Sequence, residues 1–169
     1  MKTSLFTYVD TYTRVLAATD HLLTKGVETA ERLGVGEQAM LDWRLIEDMN
    51  PLRFQFMVVC NFSQQWPARA VGIPLPEPID DQLDVAGFRR AIAGSRSFLA
   101  SLQEAQFAGR DDVEIRYAVS PELEANLPAA QWMSVFATTN MFFHLSTAYG
   151  ILRLHGAKIG KADLFPLGL

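Results

Sequence analysis

Histidine, cysteine and carboxylate side chains carry most metal and proton chemistry, and this chain has three histidines and one cysteine. His144 stands in the apolar run MFFHL, which predicts at least partial burial. A buried imidazole needs partners for its ring nitrogens. Asn140 lies four residues before it, so the two side chains share one helical face. Thr147 and Ala148 continue that face with small groups that leave room beside the ring, and Tyr149 follows. Such an imidazole would ligate a metal or move a proton at a pocket. The alternative is a core histidine held by hydrogen bonds. A second polar patch lies in LRFQFMVVCNF, where Gln55 and Asn61 interrupt a strongly apolar segment. A buried amide left without partners costs on the order of 1–3 kcal/mol. This patch is therefore expected to be bonded, and it could face the one at 140–144. Asp48 is a further candidate lining residue.

The remaining chemistry-bearing residues give weaker signals. Cys60 sits in MVVCNF and reads as core, with no His or Asp arrangement beside it in sequence to make it a nucleophile. His21 reads as a surface or boundary residue. His155 lies three turns beyond His144, about 16 Å along a helix, so the pair cannot chelate one ion within it. The segment GAKIGKAD lacks the strand–loop–helix setting of a phosphate loop and reads as a packed turn, with Asp163 pairing Lys158 or Lys161. Arg153 is expected to pair with an acidic residue such as Asp48.

Composition narrows the classes. At 169 residues, 49% apolar and 20% charged, the sequence fits one globular domain over 1–169. A net charge of −4 and the absence of any basic block argue against nucleic-acid binding. A lone cysteine excludes an internal disulfide and a Cys-based zinc site, and it fits a cytoplasmic setting. No apolar run approaches the ~20 residues that span a bilayer, so no membrane association is expected. Asp10 and Arg14 break any signal-like core at the N-terminus.

Helical spacing recurs in four stretches. The first runs from Ser4, a capping residue, to about Lys25; Gly26 marks a break or a local distortion, and VETAERL resumes the pattern. A connector with a short helix near 37–42 follows. The second helix starts with Asn50 as N-cap and Pro51 as its first residue, and runs to about Val71. Pro67 should kink or interrupt it. GIPLPEPIDD, with three prolines, is a long crossover. The third helix spans about Leu83 to Gln103, with Gly87 and Gly94 available for close packing. VEIRYAV alternates as a strand does, which predicts a small β-hairpin or extended excursion before the fourth helix at 132–155. Gly156 closes that helix. The fold class is all-α, a four-helix bundle with a long crossover between helices two and three.

The segments EDMNPLRFQ, ARAVGIPLPE, NMFFHLSTAYGILRLHG and IGKADL resemble a bacterial domain-of-unknown-function branch of the DinB/YfiT-like metalloenzyme superfamily. The similarity runs from about 3 to 165. It implies a DinB-like bundle, often a homodimer. The superfamily typically binds a divalent metal through one histidine of the second helix and an H-x-x-x-H pair of the fourth, upstream of an LR-x-x-G ending. Here that ending is Leu152 to Gly156. His144 takes the place of the second histidine, Asn140 that of the first, and Asn61 or Gln55 lies nearest the third. One histidine and two amides make a poor set for zinc or nickel. The metal site is therefore expected to be degenerate, with no resident cofactor and a divalent ion at His144 as the other outcome. The resulting expectation is a small-molecule-binding protein or transferase with a polar pocket around His144. The alternative is a non-catalytic dimeric module in which that cluster is a buried hydrogen-bond network.

Overall fold

The computed structural model describes residues 4–168. Four long helices carry the core: α1 (Thr7–Leu33), α3 (Leu52–Val71), α4 (Val85–Ser101) and α7 (Thr138–Leu154). α3 packs against both α7 and α4, and α1 lies across all three. Between them come α2 (Glu37–Leu41), α5 (Glu104–Phe107), strands β1 (Glu114–Ser120) and β2 (Leu123–Pro128), and the single turn α6 (Ala129–Gln131). A 3-10 turn at Lys161–Leu164 ends the ordered elements. One apolar cluster, including Tyr12, Phe56, Phe88, Trp132 and Ile151, runs through all four long helices and the last helical segment's start. No helix of the described residues is long and apolar enough to cross a membrane.

α1 does not break at Gly26. It continues to Leu33 and ends at Gly34, whose φ of 69° turns its N–H back to the carbonyls of Ala30 and Glu31. Gly26 instead permits a close approach. A Cβ there would lie 2.8 Å from Met40 Sδ and 3.2 Å from Leu152 Cδ2, so α2 and α7 both pass against it. Ser4 is not the helix cap, although its hydroxyl accepts from the Phe6 N–H.

α3 begins one residue later than expected, at Leu52, with Pro51 in the cap position and no capping side chain. Pro67 does not end it; the helix runs on to Val71. Trp66, Pro67 and Ala68 are all buried, and that packing outweighs one lost backbone bond near the helix end. α4 is capped by Asp84, which accepts from the Gly87 N–H at 2.6 Å. A Cβ on Gly94 would meet nothing within 4 Å, so Gly94 mediates no close packing.

The excursion is a hairpin, with Glu114 opposite Pro128 and an irregularity between Ala118 and Ser120. Aromatic rings attach it to α3. Trp66 and Trp132 stack with centroids 4.9 Å apart, and Tyr117 meets Trp66 edge-on at 5.0 Å. Arg69 covers both Trp66 and Tyr117.

The last helix is continuous from 129 to 154, but Trp132–Ala137 forms a π turn. Its widened ladder brings the Thr138 N–H to the Met133 carbonyl. The same carbonyl accepts from the Thr138 hydroxyl at 2.7 Å and from the Tyr12 hydroxyl at 2.9 Å. Tyr12 is fully buried, and burial raises its phenol pKa.

Tyr12→Phe is expected to lower unfolding stability by about 1 kcal/mol, because the Met133 carbonyl keeps its other donors. Urea denaturation should show a lower midpoint with unchanged slope. A neutral result would mean that the Tyr12 bond contributes nothing to fixing the π turn.

Candidate functional site

His144 projects from α7 toward the start of α3. Its Nδ1–H donates to Gln55 Oε1 at 2.7 Å. The tautomer follows from the other end of the amide. Gln55 Nε2 donates to the carbonyls of Asn50 at 2.9 Å and Pro51 at 3.3 Å. Only an NH₂ can bond two carbonyl oxygens, so the amide oxygen must face His144, and Nδ1 must carry the proton. The Asn50 carbonyl precedes Pro51, outside the α3 ladder, and therefore needs such a donor.

Nε2 of His144 is thus the bare nitrogen. It has no hydrogen-bond partner among the described residues, and it is not cut off from water. The imidazole is half-buried, edge-on to Phe143 at 5.2 Å and to Phe54 at 5.9 Å. Desolvation by these neighbours lowers its pKa to about 4. The ring is therefore neutral at pH 7, with a lone pair aimed outward and a fixed orientation.

Of the candidate residues, the structure brings only Gln55 to His144. Asn140 donates to the Phe136 carbonyl of its own helix at 2.8 Å. Asn61 turns away to the crossover, where its amide oxygen accepts from Ile79 N–H at 2.8 Å and its nitrogen donates to Ile79 O at 2.9 Å. Asn61 is therefore a loop clamp, because an extended segment beside a helix offers both a free N–H and a free C=O. Tyr149 packs against the core, and Asp48 is exposed in the connector. Sequence reasoning did not find Phe54 or the Asn50 carbonyl. The signal for the carbonyl was available, since Asn-Pro at a helix start leaves it unbonded four to five residues before Gln55.

Other pairings also differ from expectation. Arg153 donates to the carbonyls of Ala157 and Ile159, not to Asp48, and so fixes the chain after Gly156. Asp163 pairs with His21 Nε2 at 2.8 Å rather than with Lys158 or Lys161. The Gly160 N–H and His21 both lower its carboxyl pKa. His155 lies flat on Trp43, with centroids 4.2 Å apart. Cys60 is fully buried, and burial pushes its thiol up to about 12, as suits a core residue.

A three-histidine metal site does not fit these residues. His144 offers one good nitrogen, while the amides of Asn140 and Asn61 are already bonded to backbone. No group of three or more His, Cys, Asp or Glu able to hold an ion occurs among the described residues. An open groove of 640 Å³ runs along α7, with Leu45, Phe142, Phe143, Ser146 and Thr147 among its walls; His144 does not line it.

Comparison with known structures places this arrangement in the DinB class of helical folds. A crystal structure of a DinB family member from Shewanella denitrificans superposes with a TM-score of 0.86 at 28% identity, over 95% of this chain and 91% of that one. The chain belongs to the family described as Domain of unknown function (DUF1993), whose profile matches residues 6–165. No curated protein matches the sequence significantly.

The lowered pKa of His144 couples to stability with a definite sign. Between pH 6.5 and about 4 the unfolded chain binds the proton that the folded chain refuses. The favourable contribution is complete above pH 6.5 and is lost as pH falls through that window. Allowing for partial exposure, the loss is about 1–2 kcal/mol. Denaturation at pH 7.5 and pH 4.5 should show it in the native chain and not in His144→Asn; an equal acid loss in both would refute the assignment.

Proposed function

We propose that this is a DinB-type four-helix bundle that binds a small molecule at His144, which acts as a neutral hydrogen-bond acceptor. The observation that supports this reading most is the bare, oriented Nε2 of His144. A histidine kept only for packing would ordinarily satisfy both nitrogens. Here one nitrogen is locked through the Gln55 amide to the α3 start, and the other has no partner among the described residues, with Phe54 and Phe143 edge-on to the ring. A pKa near 4 makes the ring a poor general base at neutral pH. The same shift keeps the lone pair available to an O–H or N–H donor. Phe54 and Phe143 favour a donor carried on an aromatic or apolar frame. Transferase chemistry would need a reactive group that the ligand itself brings.

A second reading is favoured by the full burial of Gln55 and the complete use of its amide. In that reading the relay fixes the register of α3 against α7 without chemistry. We further infer that the protein is a cytoplasmic homodimer. Its superfamily resemblance and the exposure of Val135, Phe143 and Leu154 on the last helix support a second copy.

Two measurements test the ligand reading. Phenol carries a donor on an aromatic frame, and anisole keeps the frame without the donor. Titrating each into the protein while recording the ¹⁵N resonance of His144 Nε2 should give a saturable upfield shift with phenol alone. Equal responses, or none, would leave the structural relay as the better account. Metal analysis of the purified protein is expected to give less than one zinc or nickel per chain. A stoichiometric ion that disappears in His144→Ala would restore a metal centre.

A further inference from the structure

A second cavity adjoins the α7 groove and shares Phe142 and Ser146 with it. This cavity, of 300 Å³, opens between α1, α7 and the C-terminal segment. Val15, Phe142, Leu145, Leu164 and Phe165 form its apolar walls. Phe142 is two residues before His144, and side chains two apart on a helix point to different faces. His144 lines neither this cavity nor the adjoining groove.

Its polar residues are Thr11, Arg14 and Ser146, and the Thr11 hydroxyl is already bonded to the Thr7 carbonyl. Arg14 is the only charged residue in the lining, and Ser146 supplies a hydroxyl with no partner among the described residues. Arg14 donates Nε to Asp10 at 2.8 Å and Nη1 to the Gly168 carbonyl at 3.1 Å. Nη2 has no partner among the described residues. Asp10 does not line the cavity. Its pair with Arg14 is an exposed i,i+4 pair, of a kind worth about 0.3–0.5 kcal/mol. Such a pair does not hold the guanidinium against a second carboxylate, which could engage its planar fork.

The roof is the segment from Gly160 to Gly168. It is fastened at one end by Asp163 to His21 and at the other by Gly168 to Arg14. Between these ties, Leu164 and Phe165 face the cavity while Phe165 remains largely exposed. An apolar chain entering beneath them would remove apolar surface from water on three sides. Taking about 30 Å³ for each water-sized group, the cavity holds about ten of them.

We propose that this cavity binds a medium-chain monocarboxylate of about eight to ten carbons. The hydrocarbon tail lies against Leu145, Phe142 and Leu164, and the carboxylate sits at Arg14 with Ser146 as a second donor. The apolar lining selects the tail, and Arg14, the one charged residue of the lining, selects the head.

Calorimetric titration of the full chain with hexanoate, octanoate, decanoate and 1-octanol tests this. Each added methylene should tighten binding about fourfold until the cavity is full. Octanoate should bind about tenfold or more tighter than 1-octanol, and Arg14→Ala should remove that difference. Ser146→Trp, at an exposed position, should block the mouth and abolish binding without unfolding the helix. His144→Ala should bind octanoate as the native chain does, so this site stands or falls apart from the His144 proposal. The inference is overturned if octanoate does not bind, if 1-octanol binds equally well, or if Ser146→Trp leaves affinity unchanged. It is also overturned if Ser146→Trp alters the sedimenting mass while octanoate does not bind, which would make the cavity a contact between copies of the chain.

Discussion

The extra residue of the π turn at Trp132–Ala137 sets the phase of everything that follows it. One added residue rotates the downstream helix by about 100° relative to a regular ladder. That rotation puts His144 over the start of α3 and sends Phe142 and Ser146 toward α1. The turn is held because one carbonyl, that of Met133, gathers Tyr12, the Thr138 hydroxyl and the Thr138 N–H. The π turn and both proposed sites are thus one geometric problem. Loss of the turn would realign Gln55 and His144 together with the walls of the apolar cavity.

The four helical stretches, the crossover and the hairpin were legible because each rests on local signals: apolar period, prolines and strand alternation. The π turn was not, because WMSVFA has the same apolar spacing as an ordinary helix. Gly26 misled for a related reason. Glycine is a poor helix former locally, but here a tertiary contact with Met40 and Leu152 decides its use. The site was half legible. An amide in an apolar run must find a partner, which marked both Gln55 and Asn61, but the identity of each partner depends on chain segments far away. Gln55 found His144, and Asn61 found a loop. The His21–Asp163 pair joins residues 142 positions apart and carries no sequence signature at all.

The long buried polar side chains among the described residues, Arg53, Gln55 and Gln64, each donate to a loop carbonyl. Arg53 is 8% exposed and reaches Gln38 in α2 and the Asp81 carbonyl after the crossover. Its Nε lies 2.9 Å from Asp42 Oδ1 but is not aligned for a hydrogen bond, so that pair is an ion contact only. Arg110 donates to the Ala70 carbonyl and packs so close to Gly72 that a Cβ there would sit 2.8 Å from its Nη2. These guanidiniums bond backbone carbonyls of α2, of α3 and of the crossover, and so tie separate segments together.

The pair of hydrogen bonds between Asn61 and Ile79 divides the crossover into two short closures, where one long one would otherwise span α3 to α4. Gln64 Nε2 also donates to the Glu77 carbonyl at 3.4 Å, so the free part is the apex at 74–76, most of it exposed. The entropy of closing a loop grows only slowly with its length. The apex can therefore lengthen without disturbing the core, whereas an insertion at Ile79 would unfasten it. The apex is the point at which the chain could be opened, permuted or joined to another domain.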